Sequence, residues 1–170
     1  MKVAYTFFDT GLGTLYAAAT ERGLCALSLS SKSEEDFVKY LKSYTGCECE
    51  RDDSLAWQLV KFARRYLSGD VAFFSFSLDI SFGTEFQQKV WQATQKVGYG
   101  TTTTYGEIAK RIGNARAARA VGQALRKNPI LIAIPCHRVL GKNGKLTGFG
   151  CGLKMKERLL RLESAPGKFS

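Results

Sequence analysis

Short runs of β-prone residues, separated by turn residues, open the chain. Three predicted strands occupy residues 3–8, 14–19 and 24–29. The intervening turns are short and contain glycine, which favours an antiparallel meander. Two helical patterns follow, at 33–44 with Ser33 as its N-cap and at 55–67 with apolar residues on one face. Residues 70–82 are predicted to form an extended connection.

The second half of the chain has a helical pattern of hydrophobic residues. Thr84 and Thr104 each begin a capping-box motif, with Gln or Glu three residues later. The first motif opens a helix that ends at a glycine-rich stretch, and the second opens a short helix at 105–112. A glycine turn follows, and Asn114 is predicted to cap a third helix at 115–127. Two helices joined by such a turn are the outline of a helix-turn-helix.

The third predicted helix has two contrasting faces. Its core-facing positions follow helical spacing and are Ala118, Val121, Gly122 and Leu125. Its outer face combines basic, amide and small side chains, which would let the helix approach a DNA backbone closely. The predicted DNA-contacting residues are Arg116, Ala117, Arg119, Ala120, Gln123 and Arg126. Arginines on such a face supply affinity for phosphates without reading sequence.

Charge divides the chain in the same way as the hydrophobic pattern. Residues 1–80 hold nine Lys or Arg and eleven Asp or Glu, whereas residues 81–170 hold sixteen and four. A strongly basic half beside a nearly neutral one favours a polyanionic partner, of which nucleic acid is the first candidate. We therefore predict an N-terminal support domain at 1–80 and a C-terminal DNA-binding domain at 81–170.

Composition and cysteine usage narrow the class of protein. Three prolines argue against long disordered tracts, and no apolar run reaches the roughly 18–20 residues that span a bilayer. The N-terminal sequence lacks the apolar core of a signal peptide. Five scattered cysteines and one histidine provide no metal-ligand spacing, so neither a metal nor another cofactor is expected. A cytoplasmic protein with free thiols and no membrane association is predicted.

The apolar run 130–134, bounded by prolines, predicts a fully buried strand or extended segment that leads into Pro135 and Cys136. The histidine beside this cysteine, His137, can accept the thiol proton and leave a nucleophilic thiolate. Arg138 is predicted to lower the pKa of the thiol further. In an extended backbone, neighbouring side chains point to opposite faces, so a water molecule or a bend would have to connect the pair.

A series of motifs in the second half resembles the O6-alkylguanine-DNA alkyltransferases, also called methylated-DNA–protein-cysteine methyltransferases. The resemblance covers about residues 82–163, and its most specific part is Pro-Cys-His-Arg-Val at 135–139. The other motifs are Gly-Thr-x-Phe-Gln at 83–87, Val-Trp at 90–91, Tyr-Gly at 99–100, Thr-Tyr at 104–105, Ile-Ala at 108–109, Arg-Ala-Val-Gly at 119–122, Asn-Pro at 128–129 and the residues Lys156, Leu159, Leu160 and Glu163. It implies an α+β protein with an N-terminal ribonuclease-H-like α/β domain, containing a small antiparallel sheet, and a mostly helical C-terminal domain.

The resemblance also implies direct-reversal DNA repair. Such a protein binds double-stranded DNA containing O6-alkylguanine through a helix-turn-helix in the minor groove and flips the damaged base into a pocket. A cysteine takes the alkyl group irreversibly, so each molecule acts once, and O4-alkylthymine is an additional candidate substrate. A monomer is expected, located in the cytoplasm or associated with the nucleoid or nucleus according to the host.

The family's catalytic roles can be carried over by position. The resemblance implies five catalytic residues, which are Cys136, His137, Glu163, Asn128 and Tyr105. Cys136 would be the alkyl acceptor, His137 would take its proton through water, and Glu163 would orient His137. Asn128 would brace the turn that leads to the cysteine. Tyr105 would donate a hydrogen bond to the departing guanine.

Two further roles concern the flipped base. Arg119 would enter the duplex and fill the gap that the base leaves. The implied alkylguanine pocket comprises Tyr105, Ile134, Pro135, Gly148, Phe149, Gly150 and Cys151. At Cys151 the chain departs from the family, which usually has glycine there, and this bears on the width of the pocket.

Residue chemistry alone leaves several alternatives open. Glu107 and Glu157 are as eligible as Glu163 for the carboxylate that orients the histidine. A DNA-damage-binding or regulatory helix-turn-helix protein would use the same basic helix with an inert Cys136. A Cys–His hydrolase would use the same thiol, although it would also need an oxyanion hole and repeated turnover.

Overall fold

The computed structural model describes residues 1–29, 31–69 and 76–164, so part of the predicted connection at 70–82 lies outside the described residues. The chain divides into two compact units. The first contains Met1–Phe82 together with Pro129–Leu131, and the second contains Gly83–Asn128 and the chain from Ile132 onward. The mixture of strands in the first unit and helices in both confirms the predicted α+β class.

The first unit is built on a four-stranded sheet with the order β3-β2-β1-β4. Its strands are β1 (Val3–Thr10), β2 (Gly13–Thr20), β3 (Gly23–Ser28) and β4 (Cys49–Arg51). The first three form the predicted antiparallel meander. β4 was not predicted, and it pairs parallel to β1, so the sheet is mixed.

Two helices of the first unit were predicted correctly in place. Helix α1 (Glu34–Thr45) begins after Ser33, whose hydroxyl accepts a hydrogen bond from the Asp36 amide. Helix α2 (Ala56–Leu67) follows a short 3-10 turn. Phe37 and Leu41 of α1 are fully buried in one core cluster with residues of the sheet. Burial of this apolar face, rather than helix propensity alone, therefore holds α1 in the fold.

The second unit is mainly helical. Its elements are α3 (Glu85–Gln95), β5 (Thr103–Thr104), α4 (Tyr105–Arg111), α5 (Ala118–Arg126), β6 (Val139–Leu140) and α6 (Leu153–Glu163). The capping box at Thr84 is complete, with reciprocal bonds to Gln87. At Thr104 only half of the predicted box forms, because the hydroxyl accepts from the Glu107 amide while the Glu107 carboxylate bonds to Lys110.

The predicted start of the third helix was wrong. Asn114 does not cap it, since its carbonyl accepts a bond from Ala117 in a turn and α5 begins only at Ala118. Arg116 and Ala117 therefore precede the helix. Val121 and Leu125 are buried on its inner side, as predicted, whereas Ala118 and Gly122 are only half-buried.

One tryptophan fixes α3 against α5. Trp91 is fully buried, and its indole N–H donates to the Ala124 carbonyl at 3.0 Å. Gly83 lies against the same ring, and a Cβ added there would stand 2.3 Å from it. Glycine is therefore required at this position, which explains its place directly before the cap of α3.

The apolar run 130–134 is buried but does not form the predicted strand. Ile130 makes a single bridge to Leu27, and the chain then turns at Ile132, whose φ is 69°. A left-handed conformation is rare for a β-branched residue. This turn ends the extended backbone before Pro135. The segment that contains Cys136 therefore follows a bend and not a straight strand.

No described helix is both long and apolar enough to cross a membrane. Within the described ranges, we also find no group of three or more His, Cys, Asp or Glu side chains arranged to hold a metal ion.

Candidate functional site

Cys136 lies in a 3-10 turn that continues to Arg138, and all three residues of the turn are buried. The Asn128 side-chain amide donates to the Ile134 carbonyl at 2.8 Å and to Cys136 Sγ at 3.1 Å. One amide group thus holds both the bend and the sulfur. A water molecule or a bend was expected to connect Cys136 and His137, and the chain makes a helical turn at these residues.

The thiol of Cys136 is protonated at rest. Burial raises its pKa to about 11, although the hydrogen bond from Asn128 and the charge of Lys156 act in the opposite direction. A thiol with this pKa is a poor nucleophile at neutral pH unless a base removes its proton during the reaction.

His137, Arg138 and Glu163 form a buried network beside the cysteine. His137 Nε2 is 2.7 Å from Glu163 Oε1, and both side chains are almost completely buried. Arg138 donates from Nε to Glu163 Oε2 at 2.7 Å and from Nη2 to Oε1 at 2.9 Å. Its third donor, Nη1, bonds to the Val97 carbonyl at 2.6 Å. The structure therefore selects Glu163, not Glu107 or Glu157, as the partner of the histidine.

This network sets the protonation of the imidazole. Burial alone would raise the pKa of Glu163, but hydrogen bonds from His137 and Arg138 outweigh it and hold the pKa at about 2. The ionised carboxylate can only accept, so His137 Nε2 must carry the hydrogen. Burial lowers the pKa of His137 and keeps the ring neutral. Nδ1 is then the basic nitrogen, and it is buried without a hydrogen-bond partner among the described residues.

Arg138 does not have the role predicted for it. Its guanidinium faces Glu163 and donates hydrogen bonds to that carboxylate and to the Val97 carbonyl. The cation that lowers the pKa of Cys136 is Lys156 of α6. Lys156 belonged to the motif series of the sequence but had been given no function.

A cavity of about 390 Å³ adjoins the sulfur. Its size falls in the range of ~300–1,000 Å³ that small-molecule pockets occupy. The lining comes from α4, α5, the cysteine turn and the loop before α6: Tyr105, Gly122, Gln123, Leu125, Arg126, Cys136, Thr147, Gly148, Phe149 and Gly150. The cavity places an aromatic ring, a glycine-rich loop and a thiol around one enclosed space.

The predicted pocket matches this cavity only in part. Tyr105, Gly148, Phe149 and Gly150 line it, whereas Ile134, Pro135 and Cys151 do not. Ile134 is fully buried and Pro135 is also buried. Cys151 lies next to the lining residue Gly150. A negative charge on its sulfur would raise the pKa of the Cys136 thiol.

The basic face of α5 is next to the cavity. Arg119, Ala120, Gln123 and Arg126 are exposed along the helix, and Arg116 is exposed in the turn before it. Ala117 is half-buried. Gln123 and Arg126 also line the cavity. The same helix therefore presents positive charge to solvent and forms one wall of the space that contains the thiol.

Tyr105, the first residue of α4, also lines the cavity. Its hydroxyl donates to the Thr147 carbonyl at 3.0 Å and the Gly148 carbonyl at 3.4 Å. Burial raises its pKa, so the hydroxyl keeps its proton and remains a hydrogen-bond donor. At rest that donor is directed to the loop.

Sequence reasoning missed four site residues. Gly122 and Leu125 were assigned to the core, Thr147 was not singled out, and Lys156 had no role. Gly122 was the one with a usable signal, because a glycine inside a helix often marks close approach of another group. Here a Cβ at Gly122 would stand 3.7 Å from the Tyr105 ring.

The arrangement has the parts for nucleophilic attack by sulfur on a ligand in the cavity. A buried neutral imidazole can take the thiol proton, and an ionised carboxylate can stabilise the imidazolium that results. The basic helix beside the cavity can bind a polyanion that carries the ligand.

Comparisons with known proteins agree with this geometry. Residues 3–80 match the family model described as 6-O-methylguanine DNA methyltransferase, ribonuclease-like domain. Residues 85–165 match the model described as 6-O-methylguanine DNA methyltransferase, DNA binding domain. Together the two models cover most of the chain.

Individual relatives match more than nine-tenths of the chain. It is 39% identical over 165 residues to the methylated-DNA–protein-cysteine methyltransferase of Methanosarcina acetivorans, covering 95% of this chain and 98% of that protein. It resembles the crystal structure of Mycobacterium tuberculosis O6-methylguanine methyltransferase with a TM-score of 0.79 and 39% identity, over 98% and 96% of the two chains. The M. tuberculosis OGT structure in complex with DNA matches with a TM-score of 0.75 and 39% identity, over 94% and 92%.

Proposed function

Because the chain belongs to the 6-O-methylguanine DNA methyltransferase family and repairs DNA by alkyl transfer to a protein cysteine, we propose that Cys136 is the residue that accepts the alkyl group. The observation that carries this assignment is the position of its sulfur. Of the five cysteines, Cys136 is the one that lines the cavity walled by α5 and Tyr105.

The proposed reaction is a displacement at the alkyl carbon. The proton of the Cys136 thiol passes to His137 Nδ1 through a water molecule, and Glu163 stabilises the imidazolium. The sulfur forms a bond to the carbon while the bond from that carbon to guanine O6 breaks. The electron pair remains on the purine, which receives a hydrogen bond from the Tyr105 hydroxyl. The product is a thioether, which has no easy leaving group, so each protein molecule reacts once.

The substrate in this proposal is O6-alkylguanine in double-stranded DNA, with O4-alkylthymine as an additional candidate. The exposed arginines of α5 bind phosphates, and the helix lies in the minor groove. The damaged base must leave the stack before the sulfur can reach its O6 substituent. Gln123 and Arg126 connect the exposed face of α5 with the cavity, which supports a short path for the flipped base. We further propose that the protein acts as a monomer in the cytoplasm, where its thiol stays reduced.

Incubation with duplex DNA that contains one O6-methylguanine is expected to add a single methyl group to the protein. The adduct should lie on Cys136, because the other four thiols do not line the cavity. Intact-mass measurement and peptide mapping give the number and position of methyl groups. The amount of repaired DNA should stop at one equivalent of protein.

Each rival function predicts a different outcome of that experiment. A hydrolase would repair more than one equivalent of DNA and would be recovered without an adduct. A regulatory DNA-binding protein would bind the damaged duplex and leave the methyl group on guanine. Undamaged duplex of the same sequence is the control for nonspecific modification.

Arg119→Ala is expected to slow repair of duplex DNA by about 5- to 30-fold, since an inserted side chain offsets part of the unstacking cost of a few kcal/mol. Its side chain is exposed on the outer face of α5, away from the buried network of the cysteine. Reaction with free O6-alkylguanine base should therefore keep the wild-type rate. Single-turnover rates on the two substrates provide the measurement.

Arg64→Ala is the matched control, because Arg64 is an exposed arginine on α2. It removes the same charge from a helix without an assigned DNA contact. Equal slowing of duplex and free-base reactions by Arg119→Ala would exclude the insertion role.

A further inference from the structure

Lys156 has no solvent-exposed surface, although it carries an ammonium group. Its Nζ donates to the Val139 carbonyl at 2.6 Å, to the Thr147 carbonyl at 2.9 Å and to the Gly148 carbonyl at 3.5 Å. Fully buried lysines are rare, and such a group requires strong compensating contacts. This lysine links the strand that follows the cysteine turn to the loop that lines the cavity.

Two of these carbonyls have a second donor, the hydroxyl of Tyr105. It bonds to Thr147 at 3.0 Å and to Gly148 at 3.4 Å. The Lys156 ammonium also lies 5.8 Å from the centre of the Tyr105 ring. The ammonium and the phenol therefore share one set of acceptors at the edge of the cavity.

The shared acceptors affect Tyr105, the proposed hydrogen-bond donor to the purine. The Tyr105 hydroxyl is engaged with the loop at rest, so it must release the loop before it can donate to a purine. Without a second donor, its departure would leave the Thr147 carbonyl unsatisfied in a site closed by the base. The ammonium of Lys156 already bonds to that carbonyl and can remain there when the hydroxyl leaves.

We propose that Lys156 is a positioning residue that holds the Thr147 and Gly148 carbonyls and thereby frees the Tyr105 hydroxyl to move from the loop to the departing purine. The inference rests on the proposed alkyl transfer at Cys136. It adds a residue that contacts neither the base nor the transferred carbon, and that acts on the departing purine through Tyr105 in addition to the effect of its charge on the Cys136 thiol.

The charge of Lys156 gives the proposal a measurable pH dependence. Burial lowers its pKa to about 8, against a smaller opposing influence of the Cys136 thiol. The other titratable groups that face it are Tyr105, whose pKa is raised, and His137, whose pKa is lowered. As the pH rises through about 8, the ammonium loses its charge and holds the carbonyls less strongly. The transfer rate should therefore fall there, well below the pH at which Tyr105 itself ionises.

The first test is a double-mutant cycle of Lys156→Met and Tyr105→Phe. Single-turnover methyl transfer is measured with saturating duplex that contains O6-methylguanine. Each single variant is expected to slow the maximal rate by about 10-fold or more, with the half-saturating DNA concentration little changed. The double variant should be no slower than the slower single variant, because both remove one function. Lys154→Met is the matched control, since Lys154 is an exposed lysine of the same helix.

The second test compares pH profiles and needs no substitution of the lysine. The wild-type rate should fall above about pH 8, and the fall should be smaller in Tyr105→Phe, which keeps only the part that comes from the charge of Lys156 near the Cys136 thiol. Multiplicative slowing in the double variant, or a fall near pH 8 of undiminished size without the phenol, would overturn the role of Lys156. With either result, the wild-type protein would still gain a methyl group from damaged DNA, so the proposed function would stand. A wild-type protein that gains no methyl group would refute the proposed function itself. If Lys156→Met does not fold, the comparison of wild type with Tyr105→Phe decides.

Discussion

Replacing Cys136 with alanine is expected to reduce alkyl transfer to below detection, because the substitution removes the atom that forms the new bond. Binding to the damaged duplex should stay within about twofold of wild type, since phosphate contacts from the exposed face of α5 supply the affinity. Transfer is measured by intact mass, and binding by titration of labelled duplex. A loss of chemistry without a loss of affinity identifies the acceptor.

The substitution should not unfold the protein. It removes the bond from the Asn128 amide to Sγ, whereas the bond from the same amide to the Ile134 carbonyl remains. The cost is about 1 kcal/mol of unfolding free energy, the usual net value of one hydrogen bond. Cys47→Ala is the control, since Cys47 is a half-buried thiol of the first unit. A Cys136→Ala protein that still demethylates DNA would show that another residue is the acceptor.

Much of the secondary structure could be predicted because its signals are local. Ser33 and Thr84 each accept a hydrogen bond from the amide three residues later, and the helices begin directly after them. The three strands of the meander could be predicted because the short turns between them are also local signals in the sequence. Strand β4 has only three residues, and no local signal identifies it, because its pairing with β1 depends on the folded sheet.

The turn at Ile132 has a tertiary cause, whereas the later start of α5 follows from a local turn. The sequence before Ala118 has good helix formers, yet the chain makes a turn at Asn114–Ala117 instead. The backbone of Leu27 pairs with the chain on both sides of Ile130. Its amide donates to the Pro129 carbonyl, and its carbonyl accepts from the Leu131 amide. Hydrophobicity correctly predicted that this run is buried. It could not predict that backbone pairing in the first unit would interrupt an extended segment.

The candidate site was predictable in its residue types but not in its electrostatics. The motif at Cys136 and His137 pointed to the thiol and its base. The sequence did not show that Arg138 would face Glu163, or that Lys156 would supply the positive charge near the thiol. These two cations lie 18 residues apart in sequence, and the packing of α6 places Glu163 against Arg138 and Lys156 near the thiol.

Glu163→Gln is expected to slow alkyl transfer by about 100- to 1,000-fold, the range associated with loss of general-base function. A carboxamide has one accepting oxygen, which can keep the bonds that Oε1 accepts from His137 and from Arg138 Nη2. Its NH2 group only donates, so the bond that Oε2 accepts from Arg138 Nε is lost. The imidazolium that forms during the reaction would also lose its counter-charge. Single-turnover kinetics at saturating DNA measure the effect.

The same substitution should lower the free energy of unfolding by about 3–5 kcal/mol, because it leaves the buried Arg138 without its anion. Glu157→Gln, on the exposed side of the same helix, breaks only the surface pair with Arg161 and should cost about 0–1 kcal/mol.

The wild-type protein provides a further check of this network. The pKa of Glu163 is about 2 in the folded state and near 4.5 when unperturbed, so its contribution to stability is complete above pH 4.5 and is lost as the pH falls toward 2. Denaturant unfolding over that range should show the loss in wild type and a smaller one in Glu163→Gln. A Glu163→Gln variant with the wild-type transfer rate would contradict the relay, since the one buried carboxylate that contacts His137 in the described residues would then be dispensable for the reaction.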